Sequence, residues 1–145
     1  MNLRVARTLP ATPERVWEVL ADWERQAEWM PDVVWMRVLG TQRALGARVL
    51  ARTRVLGIPA TTDVLDVEVW DPPRMLRVAH RGFVSGWGEW RLVAGPGGTT
   101  HFVWDEHLRL PFGLLGELGL QVYGPVQRGM ARRSLRNLAA VVAAH

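Results

Sequence analysis

Four polar side chains share a strand face with apolar residues in this sequence: Thr53, Asp63, His80 and Glu106. Each has the alternation parity of neighbours such as Ala51, Leu65, Val78 and Trp104, so each is expected to point inward. A carboxylate placed there is costly unless it is paired or hydrogen-bonded. Three outcomes are open for Glu106 and His80. They can form a structural pair, Glu106 with His80 or with an arginine, that closes one end of the sheet. They can anchor the polar part of a ligand in an apolar pocket. Or they can serve as general acid and base in an enolisation or dehydration, since a histidine and a carboxyl can both be tuned to exchange protons near neutral pH.

Other chemistries are excluded by residue type. The chain has no cysteine, so disulfides, thiolate metal sites and cysteine nucleophiles are impossible. All 18 basic residues are arginines, which removes Schiff-base lysines and the lysine of a phosphate loop. Ser85 and Ser134 are the only serines and neither lies in a nucleophile elbow. His101 and His107 fall on the opposite strand face with no third ligand near them, so no metal and no cofactor is expected. The net charge of +4 does not announce nucleic acid, because the arginines run from Arg4 to Arg136 and mostly alternate with apolar residues as on a solvated sheet face. Only Arg128, Arg132, Arg133 and Arg136 cluster, at the spacing of one polar helix face.

The elements that must position these groups follow from the pattern. Residues 2 to 9 alternate as a strand, and Thr12-Pro13-Glu14 reads as a helix start with cap, first-turn proline and acid in order. A second short helix is expected from Asp22 to Trp29. Five turn signals then divide residues 33 to 110 into six strands, near 33 to 39, 47 to 55, 61 to 70, 74 to 81, 86 to 94 and 99 to 110. The short connections make neighbours antiparallel. After Pro111 the period is helical, with Leu115, Leu118, Val122, Val126, Met130, Leu135, Leu138 and Val142 near one stripe. The longest purely apolar run, 138 to 144, is too short to span a bilayer, and no signal-peptide stretch opens the sequence. One cytoplasmic domain over residues 1 to 145, without an integral membrane segment, is the expectation.

This order of elements resembles the helix-grip fold of the START-like, or SRPBCC, superfamily. Two stretches carry the resemblance: Ala11-Thr-Pro-Glu-Arg-Val-Trp-Glu-Val-Leu-Ala-Asp-Trp23 with Glu28-Trp-Met-Pro31, and Gly98-Thr-Thr-His-Phe-Val-Trp-Asp-Glu106 with Leu110-Pro111. The chain is similar in style to the bacterial polyketide cyclase/dehydrase and lipid-transport group. The resemblance implies an α+β fold in which a curved seven-stranded antiparallel sheet wraps a long C-terminal helix, with two short helices between strands 1 and 2. It also implies an apolar cavity between sheet and helix that binds a hydrophobic small molecule such as a lipid, a quinone or a polyketide-like aromatic. The alternatives it leaves are a cyclase or dehydratase using Glu106 and His80, and a non-catalytic partner-binding module whose interior is filled by tryptophan. Nothing in the sequence sets the oligomeric state.

Parity and the helix stripe then name the expected ligand contacts: Asp63, Leu65, Val67, Val78, His80, Trp90, Phe102, Trp104 and Glu106 from the sheet, and Leu115, Leu118 and Val122 from the helix. Ile58, Phe83 and Phe112 are expected at the mouth, beside a helix start loosened by Gly113, Gly116 and Gly119. With each turn midway between its strands, Leu92 would face Thr100, Trp90 would face Phe102, and Gly86 would lie between Glu106 and His80. Strand 33 to 39 cannot be phased, since Val33-Val-Trp-Met-Arg-Val is apolar on both faces. Arg54 is expected on the outer face.

Overall fold

The computed structural model describes residues 1–144; residue 145, the last of the expected span, lies outside them. Strand β1 (Asn2–Leu9) leads into helix α1 (Pro13–Leu20) and a short 3-10 helix (Trp23–Glu28). Six strands follow: β2 (Val33–Leu39), β3 (Arg48–Val55), β4 (Ile58–Asp71), β5 (Met75–Arg81), β6 (Ser85–Gly95) and β7 (Thr99–Arg109). Helix α2 (Leu114–Ala143) ends the described chain. Thr12 caps α1 as expected, its Oγ1 accepting from Arg15 N at 3.3 Å, with Pro13 in the first turn. Asp22 makes no side-chain cap hydrogen bond. Buried Gln26 instead ties the 3-10 segment to α1, donating through Nε2 to the Leu20 carbonyl at 2.5 Å.

All seven strands form one antiparallel sheet in the order β1-β7-β6-β5-β4-β3-β2. Consecutive strands from β2 to β7 are neighbours, and β1 joins the far side by pairing with β7. The outer face carries the arginines in ion-paired ladders: Arg4 with Asp105 at 2.6 Å, Asp66 between Arg48 and Arg81, and Glu89 between Arg77 and Arg91. This face is what the alternating arginines encode.

Two local irregularities re-aim side chains. In β2 the register shifts between Val33 and Trp35, so Val34 is the extra residue and both Val33 and Met36 turn inward. A simple period of two cannot describe that strand. A second shift lies opposite Thr53 and Arg54, where Ala60 of β4 is the extra residue, and Arg54 stands off the outer face where parity had placed it. Its Nη1 donates to the carbonyls of Pro31 at 3.0 Å and Val33 at 3.1 Å, stitching β3 to the entrance of β2.

Helix α2 behaves as two halves. Its buried positions are Gly116, Leu120, Ala131, Ser134, Leu135, Leu138 and Val142. Together with half-buried Tyr123 and Gln127 they keep an unbroken three-four rhythm along one side. The expected stripe slips out of that rhythm between Met130 and Leu135. Leu115, Leu118 and Val122 therefore stand about a third to a half of a turn away and are exposed, which corrects their placement against the sheet. The inner side of the first half is hard to read because glycine, tyrosine and glutamine occupy it. Gly116 is required there: a Cβ would stand 2.3 Å from the Pro111 carbonyl oxygen. Asn137 fixes the second half by donating to the Trp29 carbonyl at 3.1 Å.

Glycines and Pro125 weaken the first half, and its apolar side chains other than Leu120 face away from the core. Amide hydrogen exchange should therefore find residues 112 to 120 much less protected than 126 to 142. Equal protection along the helix would contradict this division.

Candidate functional site

Between the first half of α2 and the concave sheet lies a cavity of about 390 Å³. Leu65, Leu76, Val78, Trp90, Trp104 and Leu108 supply much of its sheet wall, Trp23, Met30 and Met36 close one flank, and Gly119, Leu120 and Tyr123 roof it. Trp90 and Trp104 stand edge to face at 6.0 Å, and Trp29 packs on both at 5.6 and 6.3 Å. This aromatic cluster is the floor of the cavity, and beyond it the interior is solid.

The polar groups are set into this apolar surface. Register β6–β7 pairs Gly88 with Glu106, Leu92 with Phe102 and Trp90 with Trp104, two residues from the symmetric-turn expectation. The β6–β7 loop spans only residues 96 to 98, with Gly95 facing Thr99. A two-residue slip preserves every face, so Glu106 remains inward but stands beside Gly88 rather than Gly86. His80 faces Gly86 as expected and reaches toward Gly88 from the other side. A Cβ built on Gly88 would lie 3.2 Å from His80 Nε2 and 3.6 Å from Glu106 Oε1. The missing side chain thus leaves a place where one ligand atom touches both groups.

No hydrogen bond or ion pair among the described residues joins Glu106 to His80 or to an arginine, so the structural pairing is not formed. His80 Nε2 is buried with no partner. Burial drives the pKa of His80 from 6.5 down to about 4, against the opposing pull of the Asp63 charge. Burial likewise pushes Glu106 up from 4.5 to about 7, the facing Asp32 carboxylate adds to the rise, and the Trp104 indole N–H opposes it. Asp32 is itself raised by burial, with Arg54 countering. Between pH about 4 and about 7 the centre of the cavity therefore holds an uncharged acid and an uncharged base. Asp63 plays a different part, its Oδ1 accepting from Phe83 N at 2.9 Å and holding the β5–β6 turn at the mouth. Thr53 and Thr61 hydrogen-bond each other across β3 and β4 at 2.9 Å.

Comparison with known families finds the one described as polyketide cyclase / dehydrase and lipid transport, matched over residues 1–143. The chain belongs to this family. A search of curated proteins finds no match. Among solved structures, TTHA0849 from Thermus thermophilus superposes with a TM-score of 0.82 at 21% identity, covering 99% of this chain and 98% of the other. The ZhuI aromatase/cyclase from Streptomyces sp. R1128 superposes at 0.79 and 20% identity, covering 99% and 93%. A START superfamily protein from Mycobacterium smegmatis superposes at 0.68 and 14% identity, covering 96% and 92%. At these identities the likeness is one of fold, and it agrees with the helix-grip architecture of this chain.

In this polyketide cyclase/dehydrase-type chain, the structure places Asp63, Leu65, Val78, His80, Trp90, Trp104 and Glu106 on the cavity wall. Val67 and Phe102 are inward but belong to the solid core beyond the floor, since β4 and β7 run past the end of the cavity. Leu115, Leu118 and Val122 do not line it, because they stand on the outward side of α2. Phe83 lines the mouth and packs on Phe112 at 6.1 Å, and Ile58 sits at the exposed tip of β3–β4. Asp32, Arg54, Tyr123 and Gln127 also line the cavity and were not among the expected contacts. Asp32 directly precedes the unphasable strand, and Arg54 faces an irregularity in the neighbouring strand, the extra residue Ala60 of β4, that alternation does not register. Among the described residues no cluster of histidine and acidic groups converges to hold a metal ion, and no helix is long and apolar enough to cross a membrane.

The electrostatics have a testable sign. Because the folded pKa of Glu106 lies above the unfolded value, its contribution to stability is complete below pH 4.5 and is lost as pH rises through about 7. His80 acts in the opposite direction, its contribution being complete above 6.5 and lost as pH falls through about 4. Glu106→Gln isolates the first effect. By urea unfolding, the variant should gain about 2 to 3 kcal/mol on the wild type between pH 4 and pH 8. A difference that does not change with pH would refute the buried neutral acid.

Proposed function

We propose that this protein binds an apolar small molecule of lipid, quinone or polyketide-like aromatic type in the cavity under α2, with the ligand's polar group seated over Gly88. The observation that carries the reading is the pairing of unpartnered His80 Nε2 with uncharged Glu106 on either side of that glycine, inside an otherwise apolar wall. Few polar groups in a large apolar pocket fix orientation, and those without a partner in the protein are the ones a ligand satisfies. A neutral carboxylic acid donates to a carbonyl or hydroxyl, and a neutral imidazole donates or accepts according to tautomer. The open cavity supports this over a surface-only module, which would have a filled interior.

A second reading has its own support. Between pH about 4 and about 7 Glu106 is protonated while His80 is not, and the two flank one point. Groups whose environments drive their pKa values apart are the arrangement needed for concerted acid and base work, as in a cyclising or dehydrating enzyme. The ZhuI aromatase/cyclase shares the fold and not enough sequence to carry its activity across.

Native mass spectrometry of the purified protein should reveal a bound apolar species, and extracted protein should take up the same species again. Glu106→Leu should weaken that binding by about 1.5 kcal/mol, roughly tenfold, while Glu106→Gln, which still donates a hydrogen bond, should retain it. Gly88→Val should remove binding by filling the seat. Unaltered affinity in Gly88→Val would sink the proposed pose. If the protein is an enzyme, turnover should fall in both Glu106→Gln and His80→Gln although the first still binds; equal turnover would exclude the acid and base roles.

A further inference from the structure

Groups able to carry charge reach the cavity wall from most of the elements around it: Met1 ahead of β1, Asp32 ahead of β2, Arg54 on β3, Asp63 on β4, His80 on β5, Glu106 on β7 and Tyr123 on α2. The chain has 18 arginines against 14 acids, so cations are plentiful for any carboxyl that needs one. On the outer face Asp66, Glu89 and Asp105 are all ion-paired with arginine. Among the described residues none of Asp32, Asp63 and Glu106 takes part in an ion pair.

The cations of the wall are directed elsewhere. Arg54 Nη1 donates to the carbonyls of Pro31 and Val33 on the β2 flank, and the Met1 ammonium donates to the Leu108 carbonyl at 2.8 Å. At Gly88 the atoms nearest to an added Cβ are His80 Nε2 at 3.2 Å, Glu106 Oε1 at 3.6 Å and Glu106 Cγ at 3.7 Å, with no guanidinium or ammonium among them. The two residents of this seat show what it does to charge. Burial strips the proton from His80 down to a pKa of about 4 although the Asp63 carboxylate pulls the other way, and it keeps a proton on Glu106 up to about 7. Positive charge is refused on one side of Gly88 and negative charge on the other.

We infer that the seat over Gly88 accepts only an uncharged oxygen head group, a hydroxyl, phenol or carbonyl, and turns away carboxylate, phosphate and ammonium heads, so that the ligand is an uncharged amphiphile and not a fatty acid or a phospholipid. The inference rests on the ligand-binding reading of the cavity and narrows it. A hydroxyl serves both groups at once, accepting from the Glu106 acid and donating to His80 Nε2, and a carbonyl accepts from both when the imidazole proton is on Nε2. A carboxylate set there would meet two acids and no cation. A fatty acid can therefore enter the seat only in its protonated form, which ties its binding to pH in a way that an alcohol's is not.

Isothermal titration calorimetry with decan-1-ol, decanoate and decylamine, three heads on one chain, tests this between about pH 5.5 and about pH 6.5, where His80 and Glu106 are both uncharged. Decan-1-ol should bind with an affinity constant to within about twofold across the interval, and decanoate should weaken about tenfold, as its protonated fraction does. Decylamine, a cation throughout, should show no binding that depends on the seat. Gly88→Val, checked for folding by circular dichroism, measures attachment to the surface arginines, which is subtracted; Gly88→Ala, whose methyl already occupies the seat, replaces it if the valine variant does not fold. Decanoate affinity that does not change with pH, or seat-dependent binding of decylamine, would overturn the inference and leave the cavity a ligand site. A wild type that takes up neither decan-1-ol nor the neutral fluorophore N-phenyl-1-naphthylamine would overturn the ligand-binding reading, and the inference with it.

Discussion

The second half of α2 fills the concave sheet with Ala131, Leu135, Leu138 and Val142, whereas the first half presents Gly116, Gly119, Leu120 and Tyr123 to the same surface. A sheet curved enough to grip one half must stand away from the other, because the small inner residues cannot fill the gap. The aromatic floor of Trp29, Trp90 and Trp104 marks the boundary between the two regimes. On one side the chain has close-packed density; on the other it keeps a space of ligand size. The cavity's depth, its exposed roof and the unusual protonation of its polar groups all follow from that unequal packing.

Desolvation is the link from packing to chemistry. Asp32 enters from the β2 side of the curved sheet and Glu106 from the β7 side, and the curl lets two carboxyls act on each other across an apolar space. Arg54 counters Asp32 and is itself engaged by two main-chain carbonyls, which leaves Glu106 without a cation. The outer face of the same sheet has the opposite logic: each of Asp66 and Glu89 is held between two arginines. One surface uses its charge to hold strands together, and the other keeps polar groups unpaired where a ligand can reach them.

The fold was legible because its signals are local and mutually consistent: Thr12-Pro13 at the head of α1, glycine and proline between the strands, and a period of two along most of them. Inward Glu106, His80 and Asp63 were legible for the same reason, and survived a wrong hairpin register because the slip was by two. Three things were hidden. The β2 bulge at Val34 left Asp32 without a face to belong to. Beside the extra residue Ala60 of β4, Arg54 lines the cavity against parity. In α2, hydrophobicity itself misled, since the apolar residues of the first half face outward and the cavity roof is built from glycine, tyrosine and glutamine beside Leu120.

The central claim is that burial in an apolar cavity holds Glu106 protonated up to neutral pH. Its most direct test is a titration of the Glu106 side-chain carboxyl by carbon-13 NMR, assigned through the Glu106→Gln spectrum. A midpoint near 7 is expected, with Asp66, clamped by Arg48 and Arg81, titrating below the usual carboxylate range in the same experiment. A Glu106 midpoint near its ordinary 4.5 would mean that bulk solvent or a counter-charge reaches it, and would contradict a buried neutral acid at the centre of the site.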